Sequence, residues 1–360
     1  MNARKTLKTS SRIAAVDLFC GVGGLTHGLT RGGVRVVAGI DLDPHCRFPF
    51  EANNTAKFFE RDVGDIKASE LEDIYGTADL RLLAGCAPCQ PFSTYSRSGR
   101  NQEYDAQWPL VLSFGRLVNR VKPELVTMEN VPQLADHPVF SAFINGLNGY
   151  EVWWDVIDCS SYGIPQTRKR LVLLASRLGK EGLGLRVTDG RSSTVRETIH
   201  RLSPLQAGEC DPDDPLHTAP RLSETNLRRI RASKPGGTWR DWPDDLLADC
   251  HRKKTGETYP SVYGRMAWDE PGPTITTQSF GYGNGRFGHP QQDRAISLRE
   301  AAMLQTFPSN YKFVRNGEKV RFNRLGRLIG NAVPVRLGQV IAESLTAHVQ
   351  TYRKHSTRLG

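Results

Sequence analysis

The regular alternation of short apolar runs with helical stretches most constrains how the first half of this chain can fold. Helical spacing over 24–32, for example, separates the first two apolar runs. Strands that alternate with helices predict an α/β fold, built on a doubly wound and mostly parallel sheet. The predicted buried strands are 13–19, 34–40, 80–84, 125–128, 152–157 and 171–175.

The character of the sequence changes after this sheet, and the change predicts the domain organisation. A flexible tail at 1–10 precedes the sheet domain, which we place at 11–176. The stretch 177–296 is rich in Gly, Pro, Asp and Arg and has weak periodicity, which predicts a smaller, loop-rich second domain. Helical spacing returns in a C-terminal segment, 297–360, where 335–349 is the last clear amphipathic helix.

Length and cysteine usage exclude several classes of protein. The chain has 360 residues and no apolar run of about 18 residues, so we expect no membrane span. Residues 1–12 are polar and basic and lack the apolar centre of a secretory signal. Seven cysteines are an odd number in a chain too long to need disulfides, so we expect reduced thiols and a cytoplasmic location.

The basic charge of the chain is concentrated at its C-terminal end. Residues 286–360 carry 13 basic and 4 acidic side chains, which is +9 of the net charge of +10. A surface that faces a polyanion is one interpretation, and a solvated basic face is the other. Charge alone leaves both open.

A glycine-rich turn, "DLFCGVGGL" at 17–25, follows the first predicted strand and opens a helix. Gly21, Gly23 and Gly24 allow the backbone to pass close to a ligand, and the helix N-terminus adds free N–H groups. The segment is neither a GxGxxG dinucleotide motif nor a phosphate-binding loop, so it is weak evidence alone. A tight structural turn is the alternative.

Acids at the ends of the next strands strengthen the prediction of a nucleoside site. Asp41 follows the second strand, where a carboxylate can accept hydrogen bonds from ribose hydroxyls. Asp62 ends a third segment, where a carboxylate can accept from an adenine amino group, and Asp65 is a rival for that role. The pattern predicts an adenosine pocket, and it does not separate nicotinamide cofactors from S-adenosylmethionine.

Two cysteines three positions apart, Cys86 and Cys89, follow the fourth strand in "GCAPCQPFS". A zinc site is disfavoured because the chain has no second CxxC and no finger spacing. A thioredoxin-like pair is disfavoured because Gln90-Pro91 breaks the helix that such a motif must open. The remaining interpretations are a buried structural cysteine and a nucleophile on an exposed loop.

Charged side chains also occur at the ends of two later strands. Glu129 stands in "MENVP" at the end of an otherwise apolar strand, where an acid is costly unless it pairs or acts. Arg168 and Arg170 alternate on one face as the last strand begins. A thiol, a carboxyl group and guanidinium groups are therefore expected in one crevice, although solvated strand-end arginines are an alternative.

These segments together resemble the cytosine-5 DNA methyltransferase family of the bacterial restriction–modification type. The resemblance runs in the family's order from residue 17 to residue 335 and implies a methyltransferase-type sheet with one antiparallel strand and a smaller target-recognition domain. The segments that carry it are "DLFCGVGGL" (17–25), "GCAPCQPFS" (85–93), "MENV" (128–131), "QTRKR" (166–170), "REAAMLQTFP" (299–308) and "GNAVPV" (330–335).

The resemblance also implies the roles of individual residues. Cys89 would be the nucleophile, Glu129 would bind the cytosine edge, and Arg168 and Arg170 would support the pocket, with Arg170 nearest the base. The cofactor would be S-adenosylmethionine, with S-adenosylhomocysteine as product and no metal. The residues implied to contact the cofactor are Phe19, Gly21, Gly23, Asp41, Leu42, Asp62, Val63, Asn331 and Val333, Leu42 standing where many relatives carry an aromatic.

The expected partner is double-stranded DNA, bound by a monomer, with a cognate restriction endonuclease or another defence system as functional partner. The reacting atoms lie inside the duplex, so the base must flip out, and the loop 93–107 is expected to close over it. The alternative for this loop is an ordinary surface loop. The residues expected to contact DNA are Gln90, Ser93, Arg97, Arg286, Arg321 and Arg324.

Target choice is expected in 177–296, where Gly-rich loops carry Arg286 and His289 toward a groove, and a loop-rich packing module is the alternative. The basic segment 311–327 is expected to contact the DNA backbone, and a solvated hairpin with Asn316-Gly317 at its tip is the alternative. Two other functions remain open: a tRNA cytosine-5 methyltransferase, which usually carries a threonine where this chain has Ser93, and a catalytically silent DNA-binding module.

Overall fold

The computed structural model describes residues 13–88, 108–186, 191–253, 256 and 258–359. In this part of the chain a seven-stranded sheet has the order β3-β2-β1-β4-β5-β7-β6. Only β7 runs antiparallel to its neighbours, which confirms the predicted fold class. The strands are β1 (Ile13–Leu18), β2 (Arg35–Asp41), β3 (Lys57–Glu60), β4 (Leu80–Gly85), β5 (Leu125–Asn130), β6 (Glu151–Asp158) and β7 (Lys169–Ser176).

The central strands are apolar along most of their length because helices cover both faces of the sheet. Every residue of β1 and β5 is buried, yet Asp17, Glu129 and Asn130 stand at or near the carboxyl ends of these strands. Parallel strands present their carboxyl ends at one edge, so these polar groups, with Asp41 of β2, gather there. This edge holds the candidate site.

Helices flank the sheet, and the first and the last of them along the described chain pack against each other. The C-terminal helix packs against α1 so closely that a Cβ on Gly28 would lie 2.2 Å from the Val335 carbonyl oxygen. Only glycine permits this approach. The helices are α1 (Gly24–Arg31), α2 (Arg47–Asn53), α3 (Ala68–Tyr75), α4 (Trp108–Val121), α5 (Pro138–Asn145), α6 (Val195–Ile199), α7 (Glu224–Ala232), α8 (Leu298–Leu304), α9 (Phe322–Asn331) and α10 (Val335–Leu359). Of the helices described, none is long and apolar enough to cross a bilayer.

The stretch between β7 and α8 contains short helices and many turns, as its composition predicts. A small apolar cluster forms there around Trp239, Trp242 and Tyr282. At its junction with α8, Arg294 and Glu300 form a buried ion pair, with Arg294 Nη1 2.7 Å from Glu300 Oε2. The domain bounds at 176/177 and 296/297 stay a prediction.

Candidate active site

The carboxyl group of Glu129 occupies the centre of the polar edge, at the end of β5. Its side chain is 3% exposed. Arg170 of β7 places Nε 2.8 Å from Glu129 Oε1, as an ion pair without hydrogen-bond alignment. Cys86, directly after β4, donates a hydrogen bond from Sγ to Glu129 Oε2 at 2.9 Å. Three neighbouring strands thus bring a cation, a thiol and a carboxyl group together.

The thiol of Cys86 is held in its protonated form by this environment. Burial, and then the charge of Glu129, raise the pKa of Cys86 well above its usual value. A thiol that keeps its proton is a hydrogen-bond donor rather than a nucleophile. Cys86 therefore acts as a hydrogen-bond donor, unlike Cys89, for which the sequence resemblance implies the role of nucleophile.

Arg168 stands two positions before Arg170, but its guanidinium group binds backbone carbonyl groups much later in the chain. Its Nη1 donates to the Ile275 carbonyl oxygen at 2.9 Å and its Nη2 to the Gly330 carbonyl oxygen at 3.3 Å. Burial, and then the charge of Arg170, lower the pKa of Arg168 to about 9. Arg168 joins the end of the sheet to the two segments beyond it, while Arg170 faces Glu129.

Two buried glutamines that received no role from the sequence complete this junction. Gln166 donates from Nε2 to the Leu304 carbonyl oxygen at 2.7 Å and accepts from the Ile275 N–H at 2.8 Å. Gln305 donates from Nε2 to the Ile329 carbonyl oxygen at 2.9 Å. Gln166 lies in "QTRKR" and Gln305 lies in "REAAMLQTFP". The signal available in the sequence was an amide side chain in each of these segments, because an amide that becomes buried there must find hydrogen-bond partners.

The glycine turn forms the second part of the polar edge. Gly21 has φ +53° with open space beside its Cα, and Phe19 before it also has a positive φ of 57°. Asp41 accepts from the Gly21 N–H at 2.8 Å and from the Asp43 N–H at 2.9 Å. Burial raises the pKa of Asp41. The acid at the end of β2 therefore holds the turn in its open shape.

Asp17, near the end of β1, adds a carboxylate to which the sequence assigned no role. Its Oδ2 accepts from the Thr26 hydroxyl at 2.6 Å, whereas its buried Oδ1 has no hydrogen-bond partner among the described residues. Burial raises the pKa of Asp17 to about 7. A buried oxygen without a partner at the mouth of a glycine turn fits a ligand that brings a donor.

The remaining predicted cofactor residues line the same edge or adjoin it. Leu42 is 63% exposed, which is unusual for a large apolar side chain and leaves a face for a planar ligand. Asp62 accepts from the Gly64 N–H at 2.7 Å and is half-buried, while its rival Asp65 is exposed. Val63 is buried.

The last two predicted cofactor residues lie in the segment after α9. Asn331 is exposed at the end of this helix. Val333, two positions later, is so close to the glycine turn that a Cβ on Gly24 would lie 2.2 Å from the Val333 carbonyl oxygen.

The basic segment 311–327 lies against the loop that follows β2. Arg327 places Nη2 2.6 Å from Asp43 Oδ2, and Arg324 places Nη2 2.8 Å from Glu318 Oε1. Arg321 and Lys319 are exposed at the rim of a crevice in this segment. Asn316 and Gly317 form a turn. No strands flank this turn within residues 311–327, all of which the structure describes.

In the loop-rich stretch the structure separates two residues that were predicted to approach a DNA groove together. His289 is 2% exposed, accepts from the Gln292 N–H at 2.9 Å, and packs edge-on against Trp268. Burial lowers the pKa of His289 to about 4. The prediction for His289 is therefore wrong, because the side chain is used inside the fold. Arg286 is half-buried, with its side chain against Gly264.

Several predicted site residues lie outside the described residues: Cys89, Gln90, Ser93, Arg97 and the loop 93–107. β4 leads directly toward Cys89, and the described chain continues to Pro88. Within the ranges that the structure describes, no group of three or more His, Cys, Asp or Glu side chains has the arrangement of a metal site.

Known proteins are similar to this chain along nearly its whole length. The model of the family "C-5 cytosine-specific DNA methylase" matches residues 13–347. The type II methylase M.HgiDII of Herpetosiphon aurantiacus is 49% identical over 338 residues, covering 92% of this chain and 94% of that protein. The type II methyltransferase M1.BsuMI of Bacillus subtilis is 30% identical over 367 residues, covering 95% and 82%.

Solved structures show the same fold at lower identity. A prophage-encoded protein of Escherichia coli has a TM-score of 0.70 and 21% identity, covering 94% of this chain and 99% of that one. The DNMT2 of Spodoptera frugiperda has a TM-score of 0.62 and 16% identity, covering 92% and 99%. At such identities the likeness concerns the fold alone.

Proposed function

The chain belongs to the C-5 cytosine-specific DNA methylase family, and from that premise we propose how its residues transfer a methyl group to carbon 5 of cytosine in duplex DNA. The observation that carries the proposal is the buried carboxyl group of Glu129, held between Arg170 and Cys86 beside the strand that leads to Cys89. A buried acid placed in this way suits proton exchange with a base edge.

Cys89 is the nucleophile in this proposal. Its sulfur bonds to carbon 6 of the cytosine, which turns the ring into an enamine and makes carbon 5 able to attack a methyl group. Glu129 takes up a proton from solvent water and donates it to ring nitrogen 3 as the sulfur adds, so that negative charge does not build up on the ring; the carboxylate that remains pairs with Arg170. Once carbon 5 carries the methyl group, water takes the carbon 5 proton, the double bond between carbons 5 and 6 re-forms as the Cys89 sulfur leaves, and ring nitrogen 3 returns its proton to Glu129.

Arg170 positions Glu129 and places a positive charge close to the pocket, which favours a thiolate nearby. Arg168 acts at a distance, because its guanidinium binds the carbonyl oxygens of Ile275 and Gly330. It joins the end of β7 to one segment inside the proposed recognition region, at Ile275, and to one segment after it, at Gly330. The two arginines of "QTRKR" therefore have separate tasks.

Family membership implies S-adenosylmethionine as the methyl donor, and the polar edge fits it. When bound, this cofactor supplies an electrophilic methyl group on a sulfonium. The open backbone at Gly21, with Phe19 and Gly23 beside it, gives room for the methionine part. The unpartnered Oδ1 of Asp17 suits its ammonium group.

The adenosine part would then lie along the ends of β2 and β3. Asp41 accepts from the ribose hydroxyls, Asp62 and Val63 meet the adenine edge, and Leu42 covers its face. Asn331, at the end of α9, and Val333, two positions later, would border the cofactor from the other side, since the Val333 carbonyl oxygen lies against Gly24. The exposure of Leu42, 63%, is the observation that supports a planar ligand at this position.

The proposed target-recognition region is 177–296, with Arg286 as its DNA-contacting arginine, between the catalytic domain at 11–176 and the returning segment at 297–360. Arginine reads guanine well in the major groove. Exchange of this region with that of a relative of different specificity should transfer the target sequence. An active chimera that keeps the parental target would place readout elsewhere.

The biological setting that we propose is restriction–modification, because the similar proteins M.HgiDII and M1.BsuMI are named as type II enzymes. A cognate endonuclease is then the functional partner, and the enzyme acts as a monomer in the bacterial cytoplasm. Gln90, together with Ser93 and Arg97 of the loop 93–107 that would close over the flipped base, would contact DNA from the catalytic side.

Transfer of a radiolabelled methyl group tests the proposed substrate directly. We expect label on carbon 5 of cytosine in duplex DNA and none on tRNA. Label on tRNA alone would contradict the proposal, and so would a protein that binds duplex DNA and cofactor without transfer. Bisulfite sequencing of DNA from cells that express the protein identifies the target sequence.

A further inference from the structure

The thiol of Cys86 donates a hydrogen bond to the carboxyl group of Glu129, although the family's chemistry requires only one cysteine. The distance from Cys86 Sγ to Glu129 Oε2 is 2.9 Å, and the bond is shielded because Glu129 is 3% exposed. Among the residues that the structure describes, no other side chain donates an aligned hydrogen bond to this carboxyl group.

The backbone fixes the thiol in this place. β4 and β1 pair in parallel up to Leu18 and Gly85, and the Cys86 N–H continues the ladder to the Leu18 carbonyl oxygen at 3.4 Å. β5 lies on the other side of β4 and brings Glu129 to the same edge. Cys86 is therefore anchored to the sheet.

The two contacts of Glu129 differ in what they restrain. Arg170 attracts the carboxyl group by its charge, and its Nε is 2.8 Å from Oε1 without the alignment of a hydrogen bond. A charge contact leaves the carboxyl plane free to rotate about its terminal bond, which is a soft torsion. An aligned S–H bond to Oε2 restrains this rotation.

A thiol is also a weak donor, which suits a group that must exchange its partner. When a cytosine edge arrives, Glu129 must reorganise its hydrogen bonds, and a weak S–H bond costs less to give up than an O–H bond. Because the Cys86 thiol keeps its proton, it restrains the carboxyl group without competing for the ring as a nucleophile.

We propose that Cys86 is a positioning residue that orients the Glu129 carboxyl group for proton donation to the cytosine ring. This inference rests on the role proposed for Glu129. Cys86 contributes no atom to the covalent chemistry and acts only through Glu129. It accordingly affects the rate of methyl transfer rather than the affinity for cofactor or DNA.

A double-mutant cycle under single-turnover conditions tests this inference. In the parent enzyme, Cys86→Ala should slow methyl transfer by about fivefold to tenfold, the usual range for one lost hydrogen bond. Cys86→Ser keeps an O–H donor and should restore the rate to within about twofold or threefold. In a Glu129→Gln background, Cys86→Ala should cause no further loss, because its effect passes through Glu129.

Cys159→Ala is the matched control, since Cys159 is buried near Arg170 and donates no described hydrogen bond to Glu129. It should leave the rate unchanged, and all variants should keep the parental melting temperature and cofactor affinity. Three results would overturn the inference: equal losses in Cys86→Ala and Cys159→Ala, no rescue by Cys86→Ser, or multiplicative losses in the double mutant.

The same experiment separates this inference from the proposed function. If Glu129→Gln alone transfers methyl groups at nearly the parental rate, the proposed role of Glu129 fails, whatever Cys86 does. If Glu129→Gln is severely slowed and Cys86→Ala is unaffected, only the positioning role of Cys86 fails.

Discussion

The two halves of the polar edge treat their buried carboxyl groups differently. On the cofactor side, at the ends of β1 and β2, Asp17 and Asp41 accept hydrogen bonds from a hydroxyl and from backbone N–H groups. On the base side, at the end of β5, Glu129 meets a guanidinium cation and a thiol. Both kinds of partner lie within one sheet edge, yet they suit different tasks.

The backbone donors to Asp41 cannot move without moving the segments that carry them, so this part of the cofactor side is a fixed receptor. Side-chain partners can exchange, so the base side permits proton transfer during the reaction. We therefore expect changes on the base side to lower the rate of transfer and changes on the cofactor side to lower affinity.

Replacement of Cys89 should have the largest effect. Cys89→Ser should abolish turnover and leave DNA and cofactor binding largely intact, because the hydroxyl is a far weaker nucleophile than a thiolate. A duplex with 5-fluorocytosine at the target should trap a covalent adduct on Cys89 in the parent, because fluorine does not leave as a proton does. Mass spectrometry of the digested complex locates the adduct.

Cys210→Ser is the control, because Cys210 is an exposed cysteine outside the polar edge. This variant should form the adduct as the parent does. An adduct on any other cysteine, or full activity of Cys89→Ser, would refute the nucleophile assignment.

Glu129→Gln should produce the next largest loss, about 10²–10⁴-fold in the single-turnover rate, because an amide does not donate a proton as an acid does. Cofactor affinity should stay near the parental value. Glu124→Gln is the matched control, since Glu124 precedes the amino end of the same strand and pairs with Arg81 at 2.9 Å. A loss below about threefold for Glu129→Gln would make Glu129 a structural residue.

Asp41→Ala should raise the Kd for S-adenosylmethionine tenfold or more, about 1.4 kcal/mol, because it removes the acceptor that holds the Gly21 turn. The rate at saturating cofactor should fall much less. Asp65→Ala is the control, because Asp65 is exposed. Calorimetry measures the Kd of each variant for S-adenosylmethionine and for a nicotinamide cofactor. Tight nicotinamide binding, or an unchanged Kd for S-adenosylmethionine in Asp41→Ala, would contradict the assignment.

The smallest effect is expected outside both halves, in the basic segment 311–327. The variant Arg321→Ala/Arg324→Ala should weaken binding to target and non-target duplexes alike. It should reduce the slope of log K against log salt by about 0.9 per lost phosphate contact. The ion pair of Arg324 with Glu318 favours a change nearer one contact than two.

Arg35→Ala/Arg120→Ala is the matched control, because Arg35 begins β2 and Arg120 lies near the end of α4, both exposed and remote from the carboxyl ends of the strands. It should keep the parental salt slope. An unchanged slope in the first variant would mean that the segment faces solvent.

Much of this molecule follows from its sequence because the signals are local. Six of the seven strands begin and end within two residues of their predicted positions, since apolar runs bounded by turns define a buried strand well, whereas the short β3 was not predicted as a strand. The placement of Asp41 and Glu129 at one edge follows as well, because parallel strands share their carboxyl edge. The family resemblance added the roles that such patterns cannot assign.

The misjudged residue, His289, shows where this reasoning ends. A histidine in a Gly-rich segment resembles a surface residue in the sequence, yet Trp268 and the Arg294–Glu300 pair bury it. Those partners lie in other parts of the chain or beyond the next turn. Side-chain burial in a loop-rich region depends on such contacts, which no periodicity records.

By itself the sequence determined the parallel sheet, the acids at its edge and the order of the chemistry-bearing segments, since each depends on neighbours along the chain. Only the tertiary structure decided which group meets which: that Arg170 faces Glu129 while Arg168 turns to the carbonyl oxygens of Ile275 and Gly330, and that Cys86 donates to Glu129. These choices depend on how β4, β5 and β7 lie side by side and on where residues more than a hundred positions away return. The free energy of burying a charge is settled by those distant partners.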